Sequence, residues 1–284
     1  MTVMFRRNYY CLVAGLKEYS RDADTKGFDA PTVIAEIKEG VSGRDRRAVA
    51  LLYTYYDVEN IANMRAGREH FSVLGNLSRE EAEEELASPS RLPASLCRVV
   101  AAYNAADKDT GSDYEDIDTS LPFERNMFAA YYALCAKSGS KFMRSWGDFD
   151  RTLRNVSAAF ASRKLSLPVS EAIIGSGYIE DALARSSAAD FGIKGELSYI
   201  DQVMTAVDGD MSMVDKEKRM DDIRWDMSVE LTEMNYCDID FLLGYLVRIN
   251  VIHRWTVLDP EHGREMLRKL VASFVAAGSG ENVA

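Results

Sequence analysis

The sequence has 284 residues, of which 47% are hydrophobic and 28% are charged, and its formal net charge is -11 at pH 7. This composition is typical of a folded globular protein and excludes a wholly disordered chain. The excess of acidic residues disfavours nucleic acid as a partner and disfavours direct attachment to an anionic bilayer surface.

Residues 1–106 are predicted to form an N-terminal helical region, because apolar side chains recur there at helical spacing. Starts of helices are marked by proline in a first turn and by serine at the capping position. The predicted elements are a short buried strand or helical turn at 9–14, a loop at 20–29, a helix opened by Asp29-Ala30-Pro31, a helix from Ser42 to about Arg65, a short acidic helix with a capping box at Ser78–Glu81, and a helix at 94–106.

Residues 107–120 form a polar, acidic loop that divides the chain. Asp107, Asp109, Asp113 and Asp118 are spaced somewhat like the ligands of a calcium loop. Gly111 falls at the fifth position instead of the sixth, and the twelfth position holds Asp118 instead of glutamate. Both departures favour a solvated linker over a calcium site.

Residues 121–277 are predicted to form a C-terminal helical region, followed by a frayed tail at 278–284. The predicted elements are a helix at 123–137, a long helix from about 141 to 165, two or three short helices within 169–209, a helix from Ser212 to about Met234, a helix at 238–259 and a last helix from Asp259 to about Ala277. Strand patterns are rare. The fold class is therefore all-α or nearly so, with two or three subdomains of antiparallel helices.

The sequence contains no catalytic, cofactor-binding or metal-binding motif, so we predict no residues in these roles and no enzyme activity. His70, His253 and His262 are scattered and are expected at the surface or in packing. The four cysteines are expected to be reduced and buried. A pair of carboxylates acting as acid and base stays open as an alternative, because sequence spacing does not report spatial distance.

No segment is predicted to cross a membrane, since the best candidate, 239–252, is too short and contains Arg248. Arg6 and Arg7 precede an apolar run and faintly resemble the start of a signal peptide. Lys17 and Glu18 follow that run at once, so no export is expected.

Basic side chains are concentrated in two helices of this acidic chain. Arg44, Arg46 and Arg47 stand at the start of one helix, and a second helix carries Arg144, Arg151, Arg154, Arg163 and Lys164. One interpretation is a solvated face paired with nearby acids. The other is a local positive surface suited to an acidic partner.

Three segments carry a resemblance to known proteins: Tyr9–Leu16, Trp146–Asn155 with Ala158-Ala159 and Ala161–Lys164, and Phe241–Ile249 through Gly263. Together they resemble a family of uncharacterised bacterial proteins that are encoded among the subunits of V-type (A/V-type) ATPases. Lys17 follows the opening where that family usually has a proline. The closing segment is also loosely similar to the last helix of the V-type ATPase component named C in bacteria and d in eukaryotes.

The resemblance implies a non-catalytic, all-helical and funnel-like subunit that joins the central shaft to the membrane rotor ring. It implies other V-type ATPase subunits as partners, no cofactor, and a cytoplasmic location peripheral to the membrane through protein partners only. A helical scaffold or adaptor without a rotary role is the alternative function. The side chains favoured for partner binding are Arg151, Arg154, Arg163, Arg248, Arg254 and Trp255.

Overall fold

The computed structural model describes residues 7–21, 28–107, 114–208 and 211–257. Within these ranges the chain forms twelve α-helices and no strand, so the prediction of an all-α fold is confirmed. The helices are α1 (Tyr10–Gly15), α2 (Ala30–Gly40), α3 (Gly43–Arg65), α4 (Arg79–Ala87), α5 (Ala94–Asp107), α6 (Phe123–Ala136), α7 (Lys141–Lys164), α8 (Val169–Ala172), α9 (Tyr178–Arg185), α10 (Ile200–Asp208), α11 (Met213–Glu230) and α12 (Ile239–Val257).

Side-chain caps fix the starts of several helices at the predicted places. The Asp29 carboxylate accepts a hydrogen bond from the Thr32 amide at 3.3 Å, and Ser78 forms a reciprocal capping box with Glu81. Ser42 precedes α3 as predicted, but its hydroxyl oxygen accepts from Arg7 instead of capping the helix. At Asp29 and Ser78, hydrogen bonds between residues close in the chain therefore fix the start of the helix.

Two predictions about burial are wrong. Helix α1 has no buried residue, and 63% of the Tyr10 surface is exposed, because only the other face of this short helix touches the core. All four cysteines are free thiols, but only Cys135 is fully buried, while Cys11 is exposed and Cys97 and Cys237 are half-buried. An apolar residue type or a short apolar run was therefore not enough to predict burial at these positions.

Helix α6 packs against α3 and α7, and α7 also contacts α8, α9, α10 and α12. Large side chains from these helices, among them Tyr53, Phe128, Tyr131 and Phe142, are almost completely buried. Each such side chain contributes roughly 1.5–3 kcal/mol through removal of apolar surface from water. The same buried cluster reaches from Ala30 to Ile249. The division into regions 1–106 and 121–277 stays a prediction.

Two glycines allow helices to pass very close to each other. A Cβ atom on Gly147 of α7 would lie 2.5 Å from Cβ of Cys135 on α6. A Cβ on Gly244 of α12 would lie 3.2 Å from the carbonyl oxygen of Ser228, which belongs to α11. It would also lie 2.4 Å from Cγ2 of Thr232, which follows α11. Both glycines stand in segments that carry the family resemblance, which gives those segments a packing role.

Substitution of Gly147 with alanine is expected to lower the free energy of unfolding by about 1–2 kcal/mol, since overpacking outweighs the gain in helix propensity. Gly15→Ala is the matched control, because no heavy atom lies within 4 Å of its added Cβ. Urea unfolding of both variants checks this. Equal stability of Gly147→Ala and the parent would contradict the close crossing of α6 and α7.

Several sequence predictions lie outside the described residues: the calcium-loop positions Asp109, Gly111 and Asp113, His262, the helix from Asp259 to Ala277, and the tail 278–284. Among the helices that are described, none is long and apolar enough to cross a membrane.

Candidate functional site

A cavity of about 630 Å³ opens between α3, α6, α7, α11, α12 and the segment 70–74. This volume is in the range of ordinary binding pockets. We call it the aromatic cavity, because its lining includes the rings of Tyr55, Tyr56, Phe71, Tyr131 and Trp146.

One face of α3 forms the wall of the aromatic cavity. Leu52, Tyr55, Tyr56 and Glu59 stand at i, i+3, i+4 and i+7, which places them on the same side of a helix. The Tyr55 ring packs edge-on against Tyr56 and Tyr131, with centroids 5.4 Å and 5.8 Å away. These contacts hold the wall in a fixed conformation.

An ion-pair network from α11 and α12 lines the opposite side. Asp221 is buried, and its carboxylate accepts hydrogen bonds from Arg224 at 2.9 Å and from Arg254 at 3.0 Å. Arg254 also contacts Glu217. Nε of Arg224 lies 3.7 Å from Oδ1 of Asp150 on α7. Oδ2 of Asp150 accepts a hydrogen bond from the Tyr132 hydroxyl, with 2.7 Å between the two oxygens. Both arginines of the cavity are therefore already neutralised within the fold.

The segment 70–74 is held in place by a row of polar side chains on α3. Asn60 accepts from the Ser72 amide at 2.7 Å and donates to the Ser72 carbonyl at 2.9 Å. Asp57 accepts from the amides of Asn76 and Leu77 at 2.7 Å and 3.0 Å, and Asn63 donates to the His70 carbonyl at 3.3 Å. These buried groups satisfy a loop that would otherwise lack backbone partners.

Substitution of Asn60 with alanine is expected to lower the free energy of unfolding by about 1–2 kcal/mol, because two partly buried backbone groups of Ser72 lose their partner. Amide exchange at Ser72 should accelerate more than exchange in α6. Asn8→Ala is the control, since Asn8 is exposed and its side chain donates a hydrogen bond to the nearby Tyr10 hydroxyl. Unchanged exchange at Ser72 would show that Asn60 does not anchor this wall.

Burial affects the titration of two groups that line the aromatic cavity. It raises the pKa of Glu59 above its usual value, against the opposing influence of His70, Arg154 and Arg254. It lowers the pKa of His253, with a smaller opposing effect from Asp29. In both cases loss of solvent disfavours the charged form. Glu59 is half-buried and forms no hydrogen bond or ion pair with any described residue.

A second cavity of about 490 Å³ lies at the starts of α3, α7 and α12. We call it the basic cavity, because Arg7, Arg44, Arg47 and Lys141 line it. Asp45, which also lines it, accepts the Tyr9 hydroxyl hydrogen at 2.6 Å. Arg46 points elsewhere and donates to the Val41 carbonyl at 3.1 Å. Arg44 and Arg47 from the predicted cluster are thus brought together with two more cations.

Three arginines of α7 were favoured for partner binding, and all three make contacts inside the fold. Arg151 pairs with Asp148 at 2.8 Å and with the buried Glu180 at 3.5 Å. Arg154 pairs with Glu124 at 2.6 Å and lies 3.9 Å from the centre of the Phe128 ring. Arg163 donates to the Ala188 carbonyl at 2.6 Å. Their role in partner binding stays a prediction, and charge reversal there would also disturb the fold.

The predicted residues of α12 fall into different surroundings. Arg254 lines the aromatic cavity, whereas Trp255 packs in a small apolar cluster with Trp225, Val251 and Ile252. Burial lowers the pKa of Arg248, which stands near Tyr245. The six predicted side chains therefore form no single site, and only Arg254 belongs to the aromatic cavity.

The composition of the aromatic cavity was missed at the level of sequence. A trace of it is visible in the sequence of α3, where the polar residues Asp57, Asn60 and Asn63 interrupt the buried face at intervals of three residues. These residues hold the segment that forms one wall of the cavity. Nothing comparable marks Phe71 or Trp146 as neighbours of that helix. Across the ranges that the structure describes, no group of three or more His, Cys, Asp or Glu side chains could hold a metal ion.

Over its described residues the chain is therefore an all-helical protein with a concave cavity rich in aromatic side chains. A family model described as "Protein of unknown function (DUF2764)" matches residues 6–277, and the chain belongs to this family. Membership of an uncharacterised family was predicted from the three segments and is confirmed. No curated protein and no solved structure matches the chain.

Proposed function

We propose that this protein is a non-catalytic accessory subunit of a V-type ATPase. In this proposal it takes a position like that of the C/d subunit and couples the central shaft to the membrane rotor ring. It is cytoplasmic and reaches the membrane through protein partners. The proposal joins the resemblance carried by Tyr9–Leu16, Trp146–Asn155 and Phe241–Ile249 to the character of the aromatic cavity.

The aromatic cavity is the observation that supports a protein partner most directly. Protein interfaces concentrate tyrosine, tryptophan and arginine at their centres. The cavity presents Tyr55, Tyr56 and Trp146 beside the paired guanidinium groups of Arg224 and Arg254. A concave site of this kind suits the convex end of a helical shaft.

The basic cavity supports the coupling role, because a coupling protein needs two separate contact surfaces. Residues 43–51 of α3 contribute to the basic cavity, and residues 52–59 contribute to the aromatic cavity. One rigid helix therefore runs past both sites. Four basic side chains line the first cavity on a chain whose net charge is -11, which favours an acidic partner there.

Affinity purification of the tagged protein from its native cells tests the proposal. We expect the catalytic, shaft and ring subunits of the ATPase to co-purify at constant ratios. A deletion strain should lose assembled ATPase and ion pumping. Intact assembly and pumping without this protein would overturn the proposal, and recovery of stable partners other than ATPase subunits would favour a general adaptor.

A pair of valine variants links the assembly to the aromatic cavity. Val73 lies on its rim with 70% of its surface exposed, and Val229, exposed by 46%, lies outside its lining. Val73→Lys should weaken co-purification by placing a charge at the contact, while Val229→Lys should not. Both substitutions are at the surface, so similar melting temperatures are expected.

A further inference from the structure

Three polar groups on the α3 wall of the aromatic cavity form no hydrogen bond or ion pair with a described residue. Asp150, Glu217 and Asp221 are engaged by Arg224 and Arg254. Glu59 has no such partner in the described part of the chain. The hydroxyl groups of Tyr55 and Tyr56, one turn before it on α3, likewise form no hydrogen bond with a described residue.

We propose that the aromatic cavity receives a lysine or arginine side chain of a partner protein, with Glu59 as its counter-charge and Tyr55 and Tyr56 as its aromatic walls. The inference rests on the use of this cavity as a partner-binding site. It does not depend on whether the partner is an ATPase subunit.

Charge decides between a cationic and an anionic occupant. Four carboxyl groups and two guanidinium groups line the cavity, so the acidic groups outnumber the guanidinium groups. Both guanidinium groups are already paired with carboxylates, and an anion would have to displace those pairs. A cation instead meets the unpaired Glu59, and its approach restores the charge balance of that carboxylate.

The surroundings of Glu59 fit a cation in a second way. Tyrosine and tryptophan rings attract ammonium and guanidinium groups that lie over their faces, most strongly where water is excluded. Tyr55, Tyr56 and Trp146 all border the cavity. The molecule already uses this contact elsewhere, since the guanidinium carbon of Arg154 lies 3.9 Å from the centre of the Phe128 ring.

The two arginines that influence the pKa of Glu59 are both paired with other carboxylates. His70 and Arg254 line the same cavity, and Arg154 of α7 and Glu124 of α6, which lie outside its lining, also influence the pKa of Glu59. Arg254 is held by Asp221 and Glu217, and Arg154 is held by Glu124 at 2.6 Å. Neither arginine is free to neutralise Glu59 in place of a partner.

The test uses the full-length protein and three alanine-rich helical peptides that carry a single central arginine, lysine or glutamine. Binding is followed by chemical-shift changes in the amides of α3 and segment 70–74. We expect the two cationic peptides to bind about tenfold or more tightly than the glutamine peptide. Glu59→Gln should abolish that preference, whereas Glu230→Gln, at an exposed acid of α11 outside the cavity, should keep it.

Equal affinity for all three peptides, or an unchanged preference in Glu59→Gln, would overturn this inference. Glutamine keeps the shape of Glu59 and removes a charge that burial disfavours, so the variant should fold, and its melting temperature verifies this. Failure here would leave co-purification with the ATPase untouched. Conversely, cation-selective binding without co-purification would overturn only the assignment to the ATPase.

Discussion

Replacement of Glu85 with glutamine is expected to lower the free energy of unfolding by about 3 kcal/mol. The Glu85 side chain is completely buried between α4 and α5. Its carboxylate accepts hydrogen bonds from the amides of Ser90, Arg91 and Leu92 at 2.9, 2.8 and 3.1 Å, and from the Ser90 hydroxyl at 3.1 Å. The NH₂ group of glutamine would face these donors instead of accepting from them.

The neighbouring residue provides the control for this prediction. Glu84 pairs with Arg91 at 2.7 Å, but 65% of its side chain is exposed. Glu84→Gln should therefore change stability by less than about 1 kcal/mol. Urea unfolding of both variants measures the difference. Similar stability of the two variants would contradict the role of Glu85 as the anchor of the turn before α5.

The pH dependence of stability gives a separate check on Glu85. Burial alone would raise its pKa, but hydrogen bonds from Arg91, Ser90 and Leu92 outweigh it, and the pKa lies below its usual value. The unfolded chain has a pKa of about 4.3 at this side chain. The carboxylate therefore stabilises the fold above about pH 4.3, and this contribution is lost as the pH falls through the folded pKa. The parent and Glu85→Gln should converge in stability there.

Local features of the sequence were sufficient to predict most helices. Asp29, Ser78, Ser140 and Ser212 each cap a helix through a bond to an amide three residues later. Such a bond depends only on neighbours in the chain, so its pattern is visible without a structure. The burial of Cys97 or Tyr10 depends on distant helices, and sequence patterns assigned it wrongly.

The aromatic cavity could not be predicted, because its parts meet only after folding. Tyr56, Phe71, Trp146, Arg224 and His253 come from five separate segments. Arginine-rich helices were instead favoured for partner binding, since unpaired and paired charges look alike in a sequence. The structure separates them: Arg154 and Arg163 contact neighbouring helices and loops, whereas Glu59 forms no hydrogen bond or ion pair with a described residue.

Replacement of Asp221 with asparagine is expected to cost about 3 kcal/mol of stability and to loosen the wall of the aromatic cavity. Only 4% of the Asp221 side chain is exposed, and it holds both Arg224 and Arg254. Loss of its charge leaves two guanidinium groups close together with too little negative charge between them. The expected value lies at the lower end for a broken buried ion pair, because 26% of Arg224 and 39% of Arg254 remain exposed.

The adjacent residue, Asp222, provides the control, because its ion pair is more exposed than that of Asp221. Asp222 pairs with Arg21 at 2.7 Å, and about a third of each side chain is exposed. Asp222→Asn should therefore cost less than about 1 kcal/mol. If Asp221→Asn is equally mild, the network does not hold the cavity. If it is strongly destabilising, a double variant that also carries Arg254→Gln should recover part of the loss, because it removes one of the two uncompensated charges.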